Sequence, residues 1–359
     1  MIQFSVRRLL SSVPVLFGIL MVTFAMGRMI PGDPCTAMLG EKATPAICHQ
    51  FVVDRGLDKP IILQFAYYLR DVFRGDFGLS IRFSRPVTQI LVERLPTTIE
   101  LSMAALMIAA IIGIPAGVMA AMRHNSTTDV ATMVGANIGV SMPVFWLGLM
   151  LAYVFGLLLK DTPFWLPPSG RLSAGLSSIP FYEVYGWAAA EGSAKLKVLE
   201  FFGNFYIFNS IITGDMEVLN DTLRHLILPA VALATIPLAI IARMTRSSLL
   251  DVLGREYVRA AKAKGVPHRT VIAKHALRNA LLPVVTIIGL SLGGLLGGAV
   301  LTETIFGLSG VGRALYEAIT ARDYPIIQAF TLVVAMGYVI VNLIVDVSYT
   351  YLDPRVRLE

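Results

Sequence analysis

The sequence predicts an all-α, polytopic membrane protein with six transmembrane helices. Hydrophobic residues make up 55% of the 359 positions and charged residues only 15%, and the mean hydropathy is +0.69. The apolar residues are concentrated in six stretches that are long enough to cross the hydrocarbon core of a bilayer, which takes about 20 residues of helix. These stretches are continuous and do not alternate with period two, so they do not fit the strands of a β-barrel.

The first apolar stretch follows a basic N-terminal segment, a combination also found in cleaved signal peptides. The stretch is longer than the hydrophobic region of a signal peptide, which has about 7 to 15 residues, and no convincing small-residue cleavage site follows it. We therefore expect the first helix to be retained. The six predicted spans lie near residues 9–30, 98–122, 131–159, 223–245, 281–303 and 327–349.

Lysine and arginine predict which helix ends face the cytoplasm. With the N-terminus inside, the short inner segments hold as many basic residues as the outer segments, which are more than twice as long and contain most of the acidic residues. Because short cytoplasmic loops are enriched in lysine and arginine, both termini are predicted to be cytoplasmic. The sequence pI of 9.3 then reflects this bias and requires no nucleic acid partner.

Two predicted outer segments are too long to be simple connections. Residues 31–97 show helical apolar spacing around Ile61 and Phe65, which predicts helices lying on the outer face. Residues 160–222 are rich in aromatic residues, proline and glycine. We expect this second segment to form a lid or a docking loop outside the membrane.

The chain has only two cysteines, Cys35 and Cys48, and both fall in the first outer segment. An oxidising compartment outside the cytoplasmic membrane would permit a disulfide between them. Two cysteines at this spacing are equally compatible with free thiols, so both interpretations stay open.

Glycine, charge and proline mark particular positions within the predicted spans. Gly289, Gly293 and Gly297 recur every four residues and predict close contact with another helix, within the chain or between subunits. Asp346 is the clearest intramembrane charge, and it is predicted to pair locally near the inner end of the last helix. Prolines that predict kinks occur at Pro14, Pro115, Pro143, Pro229, Pro237 and Pro283.

The sequence lacks the motifs of common nucleotide and metal chemistries. It contains no GxxxxGK[ST] phosphate-binding loop and no HExxH metal motif. The five histidines are scattered over different segments, and no pair of them has metal-ligand spacing. We therefore expect no catalytic, metal or cofactor site in this chain.

One enzyme motif does occur, because Gly307–Gly310 reads GLSG. This matches the GxSG around the serine of rhomboid-type intramembrane proteases. Such a serine needs a histidine base from a neighbouring helix, and the last predicted helix contains no histidine. The motif also falls in a predicted outer loop, so the sequence disfavours the protease interpretation.

A basic segment, residues 243–282, separates the fourth and fifth predicted spans and is too polar to enter the bilayer. One helical face within it is formed by Tyr257, Ala260, Ala261 and Lys264. Gly265 is predicted to end this helix, and a second helix follows. The segment could rest on anionic lipid as an amphipathic pair. Its small-residue face favours a different interpretation, a docking site for another cytoplasmic subunit.

The residues around Gly265 resemble the cytoplasmic coupling motif of the dipeptide and oligopeptide permeases of bacterial ABC importers. The general motif is E-A-A-x3-G-x9-I-x-L-P, and Ala260-Ala261-x-x-x-Gly265 is similar to its core. Arg259 replaces the glutamate, and Pro283 lies five positions later than in the general motif, and both departures are similar to the peptide branch itself. Further similar segments are 29–34 (MIPGDP), 75–80 (GDFGLS), 301–313 (LTETIFGLSGVGR), 322–325 (RDYP) and 353–357 (DPRVR).

The resemblance implies a type I ABC importer permease in the bacterial cytoplasmic membrane. Its implied partners are a second homologous permease subunit, two cytoplasmic ATPases that bind the ATP and magnesium, an extracytoplasmic solute-binding protein and a peptide. The chain itself would bind no cofactor and catalyse no reaction. The residues implied to contact an ATPase are Glu256, Tyr257, Arg259, Ala260, Ala261 and Gly265. The alternative is a stand-alone carrier or channel driven by ion gradients, which would usually need more intramembrane charge.

The expected organisation follows from these segments. A first transmembrane helix occupies residues 1–30, an outer loop with surface helices occupies 31–97, and the permease core occupies 98–350. The core includes the outer insertion 160–222 and the cytoplasmic coupling segment 243–282. Residues 351–359 form a cytoplasmic tail.

Overall fold

The computed structural model describes residues 2–29, 44–54, 58–187, 189–190 and 192–352, and its regular secondary structure in these ranges is helical. The prediction of an all-α fold is confirmed. The helices are α1 (Ile2–Met29), α2 (Pro45–Asp54), α3 (Ile61–Phe73), α4 (Val87–Met122), α5 (Thr127–Ser141), α6 (Val144–Leu151), α7 (Phe181–Val184), α8 (Ala194–Gly203), α9 (Tyr206–Thr213), α10 (Met216–Leu253), α11 (Glu256–Ala263), α12 (His268–Thr270), α13 (Leu277–Gly298), α14 (Val300–Ile305), α15 (Val311–Thr320) and α16 (Tyr324–Leu352). Two π-helical stretches, Ala152–Leu158 and Val271–Ala276, continue α6 and connect α12 to α13.

Five helical segments of the described chain are long and apolar enough to span a membrane, and one bent pair brings the number to six. The five are Gln3–Gly27, Val87–Met122, Met216–Leu253, His268–Gly297 and Tyr324–Ser348. The bent pair consists of Thr127–Ser141 and Val144–Leu158. The predicted number of six spans is reached when this pair is counted as one.

The third predicted span, residues 131–159, is not one straight helix. Its two halves meet at an angle of 96°. Pro143 has no backbone N–H to continue the helix, and Met142 before it is extended, with φ −77° and ψ 127°. A sharp bend at Pro143 therefore divides the straight helix that hydropathy alone predicts into two halves.

Three other spans have different ends from those predicted. Helix α4 begins at Val87, where the side chain is fully buried, instead of at residue 98. Helix α10 continues to Leu253, eight residues past the predicted end at 245. The fifth predicted span, 281–303, ends at Gly298, and the short α14 follows. The polar connection on the basic side is consequently shorter than 243–282.

Helices α4 and α10 form the centre of the bundle and approach closely at two glycines of α4. A Cβ atom added at Gly113 would lie 2.9 Å from the carbonyl oxygen of Leu238. At Gly117 it would lie 2.5 Å from the carbonyl oxygen of Ala242. Because the obstacle is backbone, neither position tolerates a side chain without a shift of the helices.

The predicted glycine stripe contacts another helix within the chain, as expected. An added Cβ at Gly289 would clash with Val345 of α16, and one at Gly293 would clash with Tyr338. Helix α16 also packs against α1, and Arg8 pairs with Asp346 at 3.2 Å. The prediction that Asp346 has a nearby partner is therefore confirmed.

The predicted outer segments contain six short helices in the described ranges, namely α2, α3, α7, α8, α9 and α15. The prediction of helices within 31–97 is confirmed by α2 and α3. Cys48 lies in α2, whereas Cys35 lies outside the described residues, so their pairing stays a prediction. Residues 353–357 of the predicted tail also lie outside the described residues.

Candidate functional site

The predicted coupling segment folds as α11, a helix of eight residues that packs on the basic end of the bundle. Val258 is fully buried and Ala261 is 9% exposed. Both belong to a cluster with Ala121, Leu249, Val271, Ala276 and Ala280. These contacts join α11 to the ends of α4 and α10 and to the start of the helix that leads into α13. The segment is therefore a fixed part of the bundle and not a free loop.

The opposite side of α11 is exposed. The predicted site residues on this open side are Glu256, Tyr257, Arg259 and Ala260, and Gly265 is exposed beyond the helix end. The sequence placed Ala261 on the same face as Tyr257 and Ala260, and in the structure Ala261 instead faces the bundle. The surface open to a partner is thus narrower than predicted, with Ala260 as its exposed small residue.

Gly265 ends α11 as predicted, and the structure gives the reason. Its φ angle of +76° lies in the left-handed region that favours glycine. The N–H of Gly265 donates to the carbonyl of Lys262 at 3.0 Å, and that of Val266 donates to the carbonyl of Ala261 at 3.3 Å. This is the Schellman arrangement, and Val266 packs against the cluster under α11, which completes its hydrophobic contact.

We expect Gly265→Val to destabilise the turn and Gly265→Asn to preserve most of its stability. A β-branched residue at positive φ costs about 1 to 2 kcal/mol, whereas asparagine tolerates this region. No atom lies within 4 Å of a Cβ added at Gly265, so the cost of a side chain there comes from the backbone conformation and not from a clash. The difference in turn stability is measured by comparing how readily a protease cleaves this segment in the two variants. Equal sensitivity in both would contradict the assignment.

A hydrogen bond missed by the sequence analysis fixes the position of Tyr257. The side-chain amide of Asn279 on α13 donates to the Tyr257 hydroxyl at 2.8 Å. A displacement of α11 would therefore act directly on α13, at the start of the fifth span. Tyr257 nevertheless remains 44% exposed.

A charged clamp joins α10 to the start of α5. The guanidinium of Arg246 donates to both carboxylate oxygens of Asp129, at 2.6 and 2.7 Å. Asp129 also accepts from the backbone of Asn125 at 3.0 Å, and its own N–H donates to the capping hydroxyl of Ser126. Bidentate pairs of this kind hold geometry well. The clamp links the first half of the bent span to the helix that leads into α11.

At the opposite end of the bundle, the GLSG segment wraps a buried carboxylate. Glu303 on α14 is fully buried, accepts a hydrogen bond from the Thr98 hydroxyl at 2.6 Å and accepts another from the N–H of Arg313 at 2.8 Å. Burial raises the pKa of the Glu303 carboxyl, and the bond from Thr98 opposes this. A Cβ at Gly310 would collide with this carboxylate. The motif is therefore explained by packing around Glu303.

We expect Gly310→Ala to reduce the amount of folded protein and Ser309→Ala to have little effect. The first change forces a methyl group into the Glu303 carboxylate, and overpacking of this kind costs about 1 to 3 kcal/mol. Ser309 is exposed, so losing its hydroxyl should cost little. The monodisperse fraction after solubilisation measures both. Equal monodisperse fractions for the two variants would contradict the packing around Glu303, whereas a protease would lose its activity with Ser309→Ala while staying folded.

Two other family-like motifs meet in space. The hydroxyl of Ser80, which ends GDFGLS, donates to Asp323 of RDYP at 2.5 Å, and the N–H of Arg82 donates to the same oxygen at 2.9 Å. Asp323 is fully buried. This contact closes the outer segment that precedes α4 onto the start of the last span.

The outer insertion is tied to α4 by a buried ion pair. Arg171 donates to Glu100 at 2.8 Å and lies 3.6 Å from the ring centre of Tyr206. The N–H of Ile207 donates to the same Glu100 carboxylate at 2.9 Å. A polar cavity of about 640 Å³ lies beside this pair and is lined in part by Glu93, Arg94, Ser178, Asn204 and Ser309.

Metal chemistry finds no support in the part of the chain that the structure describes. No group of three or more histidine, cysteine, aspartate or glutamate side chains is placed to hold a metal ion there. The described chain therefore presents an exposed helix, α11, fixed to one end of an apolar helical bundle, with the predicted outer segments at the other end.

Comparison with known proteins identifies the class to which such a bundle belongs. Residues 113–358 match the family described as the binding-protein-dependent transport system inner membrane component, and residues 1–102 match the N-terminal domain of such membrane components. The chain belongs to this family, and it is a multi-pass inner-membrane permease of a binding-protein-dependent transport system.

Individual relatives match over almost their entire length. The chain is 43% identical over 357 residues to the dipeptide transport system permease protein DppB of Alkalihalophilus pseudofirmus, covering 99% of this chain and 100% of the relative. It is 42% identical to DppB of Escherichia coli K12, covering 99% of each. It is 37% identical to the oligopeptide transport system permease protein AppB of Bacillus subtilis, covering 99% of this chain and all of the relative.

Proposed function

We propose that this chain is a permease subunit of an ABC importer that moves dipeptides or oligopeptides across the cytoplasmic membrane, driven by ATP hydrolysis on partner subunits. The observation that supports this most strongly is the full-length similarity to dipeptide permeases, at 43% identity over 99% of the chain. Because the similarity includes both the bundle and the outer segments, it supports a like role for the whole chain.

The proposed assembly contains a second homologous permease subunit, two cytoplasmic ATPases and an extracytoplasmic solute-binding protein. Both termini of this chain are cytoplasmic in the assembly. The ATPases bind the ATP and magnesium, and this chain binds no cofactor and has no catalytic site. The density of basic residues near α11 supports this orientation, since lysine and arginine favour the cytoplasmic side.

The exposed side of α11 is the proposed ATPase contact. Glu256, Arg259 and Ala260 offer it a charged rim around a small residue, and the turn at Gly265 shapes its end. Closure of the ATPases on ATP would displace α11 as a rigid body. The buried Val258 and the bond between Tyr257 and Asn279 would transmit that displacement to α10 and α13.

The outer insertion 160–222 is the proposed docking element for the solute-binding protein. It is anchored to α4 through Arg171 and Glu100, and it exposes aromatic side chains such as Tyr185 and Trp187. Aromatic residues that are exposed on an ordered segment are typical of contact surfaces. Deleting residues from the middle of the insertion is expected to abolish stimulation of ATPase activity by the binding protein, while basal ATPase activity remains.

The function is tested by reconstituting the chain with its partner subunits in proteoliposomes and measuring uptake of a radiolabelled dipeptide. We expect uptake that requires both ATP and the solute-binding protein. The competing function, a stand-alone carrier, predicts that the chain alone takes up the substrate under an ion gradient without ATP. That result, or the absence of any peptide uptake by the complete assembly, would overturn the proposal.

A further inference from the structure

The outer helix α3 has a wide apolar surface of which α1 covers only one half. On the covered half, the ring centre of Phe65 lies 5.7 Å from that of Phe17 and 5.2 Å from that of Phe24. Tyr68 stacks on Phe24 at 5.6 Å. This aromatic contact fixes α3 against the first span.

The other half of the apolar surface has no cover in the described chain. It is formed by Ile62, Ala66 and Phe73, which lie on one side of the helix at about 100° per residue. Ile62 is 78% exposed and Phe73 is 85% exposed. The remaining side of α3 is polar and includes Tyr67, Arg70 and Asp71.

The aromatic contact between α3 and α1 lies within the predicted membrane span of α1. Helix α1 runs antiparallel to α16, because Arg8 pairs with Asp346 while Gln328 donates to the carbonyl of Thr23. The span ends at Gly27, so Phe17 lies about 15 Å below that end at 1.5 Å per residue. With the N-terminus on the cytoplasmic side, as proposed, Phe65, which contacts both Phe17 and Phe24, therefore lies at the depth of the outer leaflet.

The helix α1, against which α3 packs, is itself largely uncovered in the described chain. Only 11% of the most apolar part of α1 is buried against the rest of the chain. Phe17 is itself 46% exposed although it contacts Phe65. The ammonium of Lys59 points away from this surface, because it bonds the Tyr67 hydroxyl at 3.2 Å on the polar side.

We propose that Ile62, Ala66 and Phe73 contact the acyl chains of the outer leaflet. Helix α3 is then an interfacial helix, seated in the membrane beside α1 with its polar side toward the headgroups and water. This differs from a surface helix that rests on the outer face in water. The proposal is independent of the transported substrate and of the ATPase contact.

The test uses the complete transporter in lipid nanodiscs, with one nitroxide label at Ile62→Cys or at Leu63→Cys. Leu63 is the matched control, because it is the next residue, is also apolar and is 46% exposed, but it lies on the polar side. Collision with oxygen and with a water-soluble nickel chelate gives the depth of each label. We expect the label at Ile62 to lie deeper than that at Leu63 by up to about 10 Å, the diameter of a helix.

Two results would overturn the proposal. Equal access of the nickel chelate to both labels would place the whole helix in water. Low access of both oxygen and chelate at Ile62 would mean that a protein partner covers this side. The unsubstituted chain, taken through the same labelling, corrects for any reaction at Cys35 or Cys48.

Discussion

Replacing Ala260 with tryptophan is expected to lower ATP-dependent peptide uptake by at least about tenfold, a change that corresponds to only 1.4 kcal/mol of lost docking free energy. Ala260 is exposed on the open side of α11, where the ATPase is proposed to sit. The indole would add bulk at this contact without disturbing the buried Val258 and Ala261. Uptake into membrane vesicles and copurification of the ATPase should therefore fall together.

The matched control is Ala273→Trp, which makes the same change at an exposed alanine of the following helical stretch. We expect this variant to keep both uptake and copurification, and both variants to reach the membrane in normal amounts because surface changes cost little stability. Unchanged uptake in Ala260→Trp, or an equal loss in the two variants, would contradict a specific role for the open side of α11.

Replacing Gly117 with valine is expected to prevent most of the chain from folding. An added Cβ would lie 2.5 Å from the carbonyl oxygen of Ala242 and 2.6 Å from the Cβ of Thr245. No rotamer relieves a clash at Cβ, so α4 and α10 would have to separate at the centre of the bundle. Overpacking of well-packed cores costs about 1 to 3 kcal/mol and occasionally more.

Gly135→Val provides the comparison for this second variant. Gly135 is also helical and exposed, and no atom lies within 4 Å of an added Cβ. Size-exclusion profiles of the solubilised proteins should show a monodisperse peak for Gly135→Val and a large loss of that peak for Gly117→Val. Similar profiles would mean that α4 and α10 pack less closely than the structure indicates.

The helical class and the number of spans could be predicted because hydropathy is a local property of the sequence. The path of the third span could not. Pro143 was one of six prolines predicted to kink a helix, and only there does the described chain turn by 96°, whereas α10 stays one helix through Pro229 and Pro237. Whether neighbouring helices compensate for a missing N–H depends on tertiary packing, which the sequence does not display.

The coupling segment was predicted in outline and corrected in one residue. The conformation of Gly265 follows from local chain chemistry, and the structure confirms it. The orientation of α11 depends on where the rest of the bundle lies, so the sequence could not assign Ala261 to the buried side. Val258 was the available signal, because it is the only aliphatic residue larger than alanine in α11 and it is fully buried.

The contacts among the outer motifs could not be predicted from a single sequence. Ser80 and Asp323 are 243 residues apart along the chain, and Thr98 and Glu303 are 205 apart. Nothing in local periodicity pairs such positions. The sequence resemblance marked these segments as typical of one family. The structure adds a physical reason, because the segments enclose two buried carboxylates, Asp323 and Glu303.

The most direct test of the central claim is photo-crosslinking from α11 in the assembled transporter. A benzophenone amino acid is placed at Arg259, an exposed long side chain beside Ala260, and the same group at Phe73, which lies on the predicted outer side, serves as the control. The claim that α11 is the ATPase contact predicts a crosslink from position 259 to the ATPase subunit and none from position 73. Crosslinks from position 259 to lipid alone, with the ATPase present and bound, would contradict it.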